Sequence, residues 1–174
     1  MPGIDDIDGD GDLDIITFSL LGTFVEYHKN LSMETYGTCD SLKFEVRNKC
    51  WGFFAENFNN NSVTLNSPCS FNVPSPEFRP QTEADPEDDE DDRAHAGSTL
   101  TTLDMDGDGD KEVLVGDISF NNLVGLYNGG SVNYAFMMQE DTLFPSYDES
   151  VNITVFPAAF HLDVDHDGRR DLLV

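Results

Sequence analysis

The chain has 174 residues, of which 34 are Asp or Glu and 9 are Lys or Arg, giving a formal charge of −25. A polyanion of this strength repels nucleic acid and anionic membrane surfaces and draws cations instead. Apolar residues make up 39% of the chain and Phe occurs 13 times, too apolar for a wholly unfolded polymer, so a packed core is expected.

Met1-Pro2-Gly3-Ile4-Asp5 has neither the basic region nor the apolar stretch of a secretory leader. No apolar run approaches the ~20 residues that a spanning helix needs, so no membrane insertion is expected. An acidic motif follows, Asp6-Ile7-Asp8-Gly9-Asp10-Gly11-Asp12-Leu13-Asp14, and behind it two strand-like runs, Leu13 to Leu20 and Thr23 to Leu31.

The stretch from Ser32 to Ala96 reads as an insert. It holds Cys39, Cys50 and Cys69, the Asn-rich Asn57 to Asn61, and Pro68, Pro74, Pro76, Pro80 and Pro86. It also holds an acidic block, Glu83 to Asp92, with eight acids in ten residues. Such a block cannot pack against itself and is expected to be a solvated surface loop. The cysteines lack a C-x-x-C spacing, which argues against a zinc knuckle or a redox pair. One disulfide with a thiol left over, which would fit secretion, and three unpaired thiols both stay open.

The motif returns as Asp104-Met105-Asp106-Gly107-Asp108-Gly109-Asp110-Lys111-Glu112, followed by runs at Glu112 to Ile118 and Asn122 to Asn128. Asn128-Gly129-Gly130 is a hairpin signal. Two further runs, Val132 to Gln139 and Asn152 to Phe156, lead to a third copy, Asp163-Val164-Asp165-His166-Asp167-Gly168-Arg169-Arg170-Asp171. No segment shows a 3.6-residue period, so almost no helix is expected.

The shared pattern is D-x-D-x-D-G-x-x-[DE], with an apolar residue at position 2 and an apolar run after position 9. Calcium explains this spacing. The ion is hard and takes six to eight oxygens, which a short loop supplies from carboxylates at positions 1, 3 and 5. Glycine at position 6 permits the bend that turns the carbonyl of position 7 inward, and an acid at 9 closes the shell. Magnesium is the lesser candidate, because it demands a rigid octahedron and parts reluctantly with water. A helical EF-hand needs a bidentate Glu at position 12 and flanking helices. Position 12 here is Thr17, Val115 and Val174.

Asp104 follows Asp6 by 98 residues and Asp163 follows Asp104 by 59. About four strands per repeat of this size suggest an all-β fold, tandem four-stranded antiparallel blades of a partial β-propeller with calcium loops. The first repeat spans 1–98, with its insert at about 32–96; the second spans 99–158; the third begins at 159 and runs to 174. A propeller closes with about four to eight blades. A little over two are present, so the chain is expected to be a fragment whose partners include the rest of the parent propeller.

The loop followed by L-[LI]-V resembles the FG-GAP and VCBS-type repeats of integrin α-subunit propellers and large secreted bacterial surface proteins. The resemblance covers residues 4–31 and 97–174, with His95 to Thr99 and Phe156 to Phe160 in the place of approach strands. It implies calcium ligation, by up to three ions, through Asp6, Asp8, Asp10 and Asp14; Asp104, Asp106, Asp108 and Glu112; and Asp163, Asp165, Asp167 and Asp171. Position 7 would add its main-chain carbonyl, from Asp12, Asp110 and Arg169. No literal Phe-Gly or Gly-Ala-Pro signature is present, and loop three carries His166 and two arginines.

The reading that follows is a non-enzymatic, calcium-stabilised adhesive or ligand-binding module of a secreted or cell-surface protein. Its partner would be a protein or glycan met by loops on one propeller face. The alternatives are a calcium-dependent propeller region of a polysaccharide-acting enzyme, and a plain calcium buffer. No Ser-His-Asp, Cys-His or paired-carboxylate constellation stands apart from the loops, and His28 and His161 fall in strands, where a structural role is expected.

Overall fold

The computed structural model describes residues 1–19, 22–57, 61–69 and 98–174. The acidic block at 83–92 and the approach residues 95–97 lie outside them. The described chain is built from antiparallel strands, and no sheet closes on itself.

The first sheet is a meander of β1 (Gly3–Asp5), β2 (Asp14–Phe18), β3 (Val25–Asn30) and β4 (Phe44–Asn48). A short helix, α1 (Ser32–Tyr36), sits between β3 and β4 and ends at Gly37, whose φ of 69° terminates it in the left-handed region. A small hairpin follows, β5 (Ala55–Glu56) with β6 (Val63–Thr64). Cys50 and Cys69 form a disulfide that frames this hairpin, and Cys39 is a free, exposed thiol.

The second sheet repeats the meander with β7 (Thr99–Leu103), β8 (Glu112–Gly116), β9 (Leu123–Asn128) and β10 (Met137–Phe144). A third pairing joins β11 (Phe160–Leu162) to β12 (Asp171–Leu173). Each acidic motif therefore lies in the connection between the first two strands of its sheet.

One expected strand is displaced and another is absent. The run at 132–139 gives way to β10, because Ser131 and Tyr134 close a tight turn with N–H to carbonyl bonds of 3.0 and 2.8 Å. β10 is an outer strand whose middle, from Met138 to Leu143, is largely exposed. It needs no apolar pattern, and its Gln139-Glu140-Asp141 sequence hid it. Residues 152–156 form no strand, although the Ile153 N–H donates to the Asn121 carbonyl at 2.8 Å.

The core explains the continuous apolar runs. Ile16, Val25 and Tyr27 of the first sheet pack with Leu100, Val113, Val115, Val124 and Leu126 of the second. Leu103, Leu114, Leu123 and Phe144 point to the opposite face, against Ala159 and Val151. The second sheet is thus covered on both sides, and every residue of β8 is buried. Alternation disappears where both faces are apolar.

The first strands of the three sheets lie side by side. The Leu100 N–H donates to the Met1 carbonyl at 3.0 Å, and Thr102 Oγ1 donates to Asp5 Oδ2 at 3.2 Å. On the other flank Thr99 Oγ1 donates to the Pro157 carbonyl at 3.2 Å. Gly116 makes this approach possible: a Cβ there would stand 2.1 Å from the Pro157 oxygen.

Candidate metal centre

The three loops share a hydrogen-bond scheme that follows from their sequence. The carboxylate at position 1 caps the turn. Asp6 accepts the N–H groups of Gly9 and Gly11 at 2.8 and 3.1 Å, and Asp104 those of Gly107 and Gly109 at 2.7 and 3.2 Å. In loop three Asp163 accepts from Asp167 and Gly168 at 3.1 and 3.0 Å. The carboxylate at 5 accepts the N–H of position 7 in every copy, at 3.1, 2.9 and 2.8 Å for Asp10, Asp108 and Asp167.

Position 6 is left-handed throughout, with φ of 94°, 94° and 88° at Gly11, Gly109 and Gly168. Position 4 is left-handed too, at Gly9, Gly107 and His166. Two left-handed residues separated by one make the chain curl tightly enough for alternate side chains to converge.

They do converge. Asp6, Asp8 and Asp10 each offer a carboxylate oxygen in a set whose members all lie within 4.8 Å of one another. Asp104, Asp106 and Asp108 form a second such set, and Asp163, Asp165 and Asp171 a third. Asp10, Asp12 and Glu34 form a further set on the α1 side of loop one.

The acids at position 9 in loops one and two stand apart from their sets. Asp14 and Glu112 are 0% and 1% exposed. Each closes its loop by accepting the N–H of position 2, from Ile7 at 3.1 Å and Met105 at 2.7 Å; Asp171 does the same for Val164 at 3.0 Å. Their other oxygen accepts the N–H of a strand asparagine, Asn30 at 2.8 Å and Asn128 at 3.4 Å. Tyr27 also donates its hydroxyl to Asp14 at 3.1 Å.

The sequence pointed to Asn128 as a turn residue only, and the link of both asparagines to the loops was missed. Asn30 Oδ1 accepts the N–H groups of Ser32 and Lys43, both at 3.2 Å, while its amide donates to the Leu13 carbonyl at 3.3 Å. Asn128 repeats this, accepting from Gly130 and Phe136 at 3.0 and 2.8 Å and donating to the Lys111 carbonyl at 3.3 Å. Each therefore ties position 8 of its loop to the start of the fourth strand. The signal was present: both close their strand 24 residues beyond position 1.

At position 7, where the main-chain carbonyl was the expected ligand, the side chain is itself buried in loops one and two. Asp12 and Asp110 are 1% and 2% exposed. Asp12 Oδ2 accepts the Met33 N–H at 3.0 Å, and Oδ1 of both residues is buried without a hydrogen-bond partner. Asp8 Oδ1 is buried and unpartnered in the same way. Orphaned buried carboxylate oxygens are costly unless something positive meets them.

Burial weakens these groups as acids and raises their pKa values. Glu112 is pushed up to about 7 by desolvation, with Asp106 and Asp110 adding repulsion. Asp110 is pushed up to about 6 by desolvation and by Asp108, and Asp14 to about 6 by desolvation, against the lowering effect of its N–H donors. Asp12 moves upward for the same first reason. The residues fit a hard divalent cation on two grounds: the donors are all oxygen, and several of the oxygens have no partner within the protein.

Basic residues near the loops differ in aim. Lys29 on β3 contacts Asp8, lies 3.2 Å from Asp10 Oδ2 and pairs with Glu34 of α1. Lys111 and Arg170, both at position 8 of their loops, turn away to Asp5 on β1, at 3.1 and 3.5 Å. Arg170 therefore reaches out of loop three. His28 faces Glu26 at 3.4 Å. His161 has a buried Nδ1 without a partner, and burial together with Arg170 lowers its tendency to protonate.

Comparison of the chain with family models, with curated proteins and with solved structures returned no match. No helix among the described residues is long and apolar enough to cross a membrane.

Proposed function

We propose that the three loops bind calcium, and that the chain is a calcium-stabilised segment of an FG-GAP/VCBS-type propeller in a secreted or cell-surface protein. Its role is adhesion or ligand binding, without catalysis. The observation that carries this reading is the recurrence of a carboxylate cluster at one place in three sheets, from positions 1, 3 and 5 in loops one and two and positions 1, 3 and 9 in loop three. Each time, three carboxylates converge within 4.8 Å at the turn between the first and second strands. Like charges held this close repel unless a cation lies among them. The buried, unpartnered oxygens of Asp8, Asp12 and Asp110 give the ion further donors in loops one and two.

Two meanders and the start of a third, adjacent through their first strands, are in keeping with successive blades around an axis. The Cys50–Cys69 disulfide is in keeping with an oxidising compartment. Binding to the folded state alone couples stability to the ion concentration, and extracellular calcium modules typically bind with dissociation constants of roughly 10⁻⁴ to 10⁻³ M.

Calorimetric titration of the whole chain with calcium, paired with thermal melts, tests the reading. Calcium is expected to release or absorb heat and to raise the melting temperature, and magnesium to do so more weakly. Asp106→Asn combined with Asp108→Asn is expected to remove one ion from the stoichiometry. An unchanged stoichiometry in that variant, or no calcium effect on stability in the parent chain, refutes it.

A further inference from the structure

Loop one differs from loop two in one respect that bears on ion binding. The Lys29 side chain is 16% exposed, and its ammonium reaches positions 3 and 5 of the loop, contacting Asp8 and standing 3.2 Å from Asp10 Oδ2. It also pairs with Glu34, which shares the oxygen cluster of Asp10 and Asp12. One charged nitrogen thus serves three carboxylates, two of which belong to the set that converges with Asp6.

The corresponding residue of the second sheet, 98 positions on, is Tyr127, which brings no charge. Lys111, the basic residue inside loop two, is held by Asp5 at 3.1 Å. In loop three Arg170 is drawn to Asp5 as well. Among the described residues no ion pair reaches Asp104, Asp106 or Asp108, or Asp163 or Asp165.

We infer that Lys29 is a tethered counter-ion that competes with the divalent cation for loop one, so that loop one holds its shape without the ion and binds it more weakly than loop two. The inference rests on the reading of the loops as divalent-ion sites. An ammonium and a divalent ion cannot share Asp8 and Asp10 without strong repulsion, so entry of the ion requires Lys29 to swing out. The lysine is covalently attached, so its effective concentration at the loop is high and independent of the medium. Loop one then becomes the constant element and loop two the one that responds to ion concentration.

The test is Lys29→Met in the whole chain, which keeps most of the buried stem and removes the charge, with Lys29→Arg as the charge-retaining control. Melting is followed in EDTA and in excess calcium, and calcium binding is followed by calorimetry. The Met variant is expected to melt lower than the parent in EDTA and to recover in calcium. With Asp106→Asn and Asp108→Asn also in place, the Met variant should bind calcium at loop one at least tenfold more tightly than the chain that keeps Lys29. The Arg variant is expected to track the parent.

An unaltered melting temperature in EDTA, together with unaltered calcium affinities, overturns the inference while leaving the calcium reading standing if loop two still binds. A Met variant that stays unfolded in excess calcium also overturns it, because the ion then fails to replace the ammonium. If no protein takes up calcium, the calcium reading and the competition fall together. The melt in EDTA still decides the counter-ion role: a drop supports it and no drop removes it.

Discussion

Asp5 Oδ2, at the end of β1, lies 3.1 Å from Lys111 Nζ in loop two, and Arg170 of loop three reaches the same carboxylate through Oδ1 at 3.5 Å. Asp5 is only 6% exposed, and it also accepts a hydrogen bond from Thr102 on β7. One acid of the first sheet thus joins the loops of the second and third. Asp5→Asn should lower stability by about 1–3 kcal/mol, since a mostly buried pair loses one charge and leaves the other behind. In a double-mutant cycle with Lys111→Met the two effects should be less than additive, as read from chemical denaturation. Strict additivity would mean that the pair carries no coupling.

The acids at the loops make the ion-free protein sensitive to pH. Glu112 sits at about 7 in the fold against 4.5 for an ordinary Glu, and Asp14 and Asp110 at about 6 against 3.8. Within those windows the folded state binds protons that the unfolded state has released. Unfolding free energy therefore falls as pH rises from about 4 to about 7, and the loss is complete above the folded values. Melts in EDTA across this range should show the decline, and excess calcium should flatten it by favouring the ionised forms. A melting temperature in EDTA that rises steadily toward neutrality would contradict the assignment.

Asn128 offers a prediction about folding rather than charge. Asn128→Ala removes the acceptor for Gly130 and Phe136 and the donor to Lys111. Each buried amide left unmet costs about 1–3 kcal/mol. Asn128→Asp retains the acceptor and should retain the Gly130 and Phe136 contacts, but it places a further charge beside Glu112. In calcium-free buffer the Asp variant is expected to be less stable than the Asn parent, and denaturant midpoints give the comparison.

Gly116→Ala tests the contact between the second sheet and the segment before β11. The added methyl would lie 2.1 Å from the Pro157 carbonyl oxygen and 2.7 Å from Thr99 Oγ1. A backbone oxygen cannot rotate away, so the strands must separate, at about 1–3 kcal/mol for overpacking of this kind. A variant as stable as the parent in chemical denaturation would show that this interface yields easily.

The loops and the strands around them were legible because their chemistry is local. A spacing of acids, a left-handed glycine at position 6 and a run of Val and Leu are written within a dozen residues. The runs after each motif led to β2, β3, β8 and β9 within about two residues at either end. β10 was misplaced because an exposed outer strand carries no apolar signature, and the turn at Ser131 to Tyr134 displaces its start. The contacts of Lys29, Asn30 and Asn128 with the loops were not read from the sequence for another reason. Their roles depend on the antiparallel register that returns β3 and β9 to their own loops, and register is a property of paired strands. The burial of Asp12 depends in the same way on a neighbour, Met33 of α1.

The two-sided cover of the second sheet also determines where the sequence is free to drift. Along Glu112–Gly116 every side chain meets protein, so replacements there are confined to residues of matching volume. In the same sheet the outer strand β10 leaves most of its middle, from Met138 to Leu143, exposed, and it can accept changes of size and polarity at little cost. Mutational tolerance should therefore rise sharply between β8 and β10, two strands apart in one sheet.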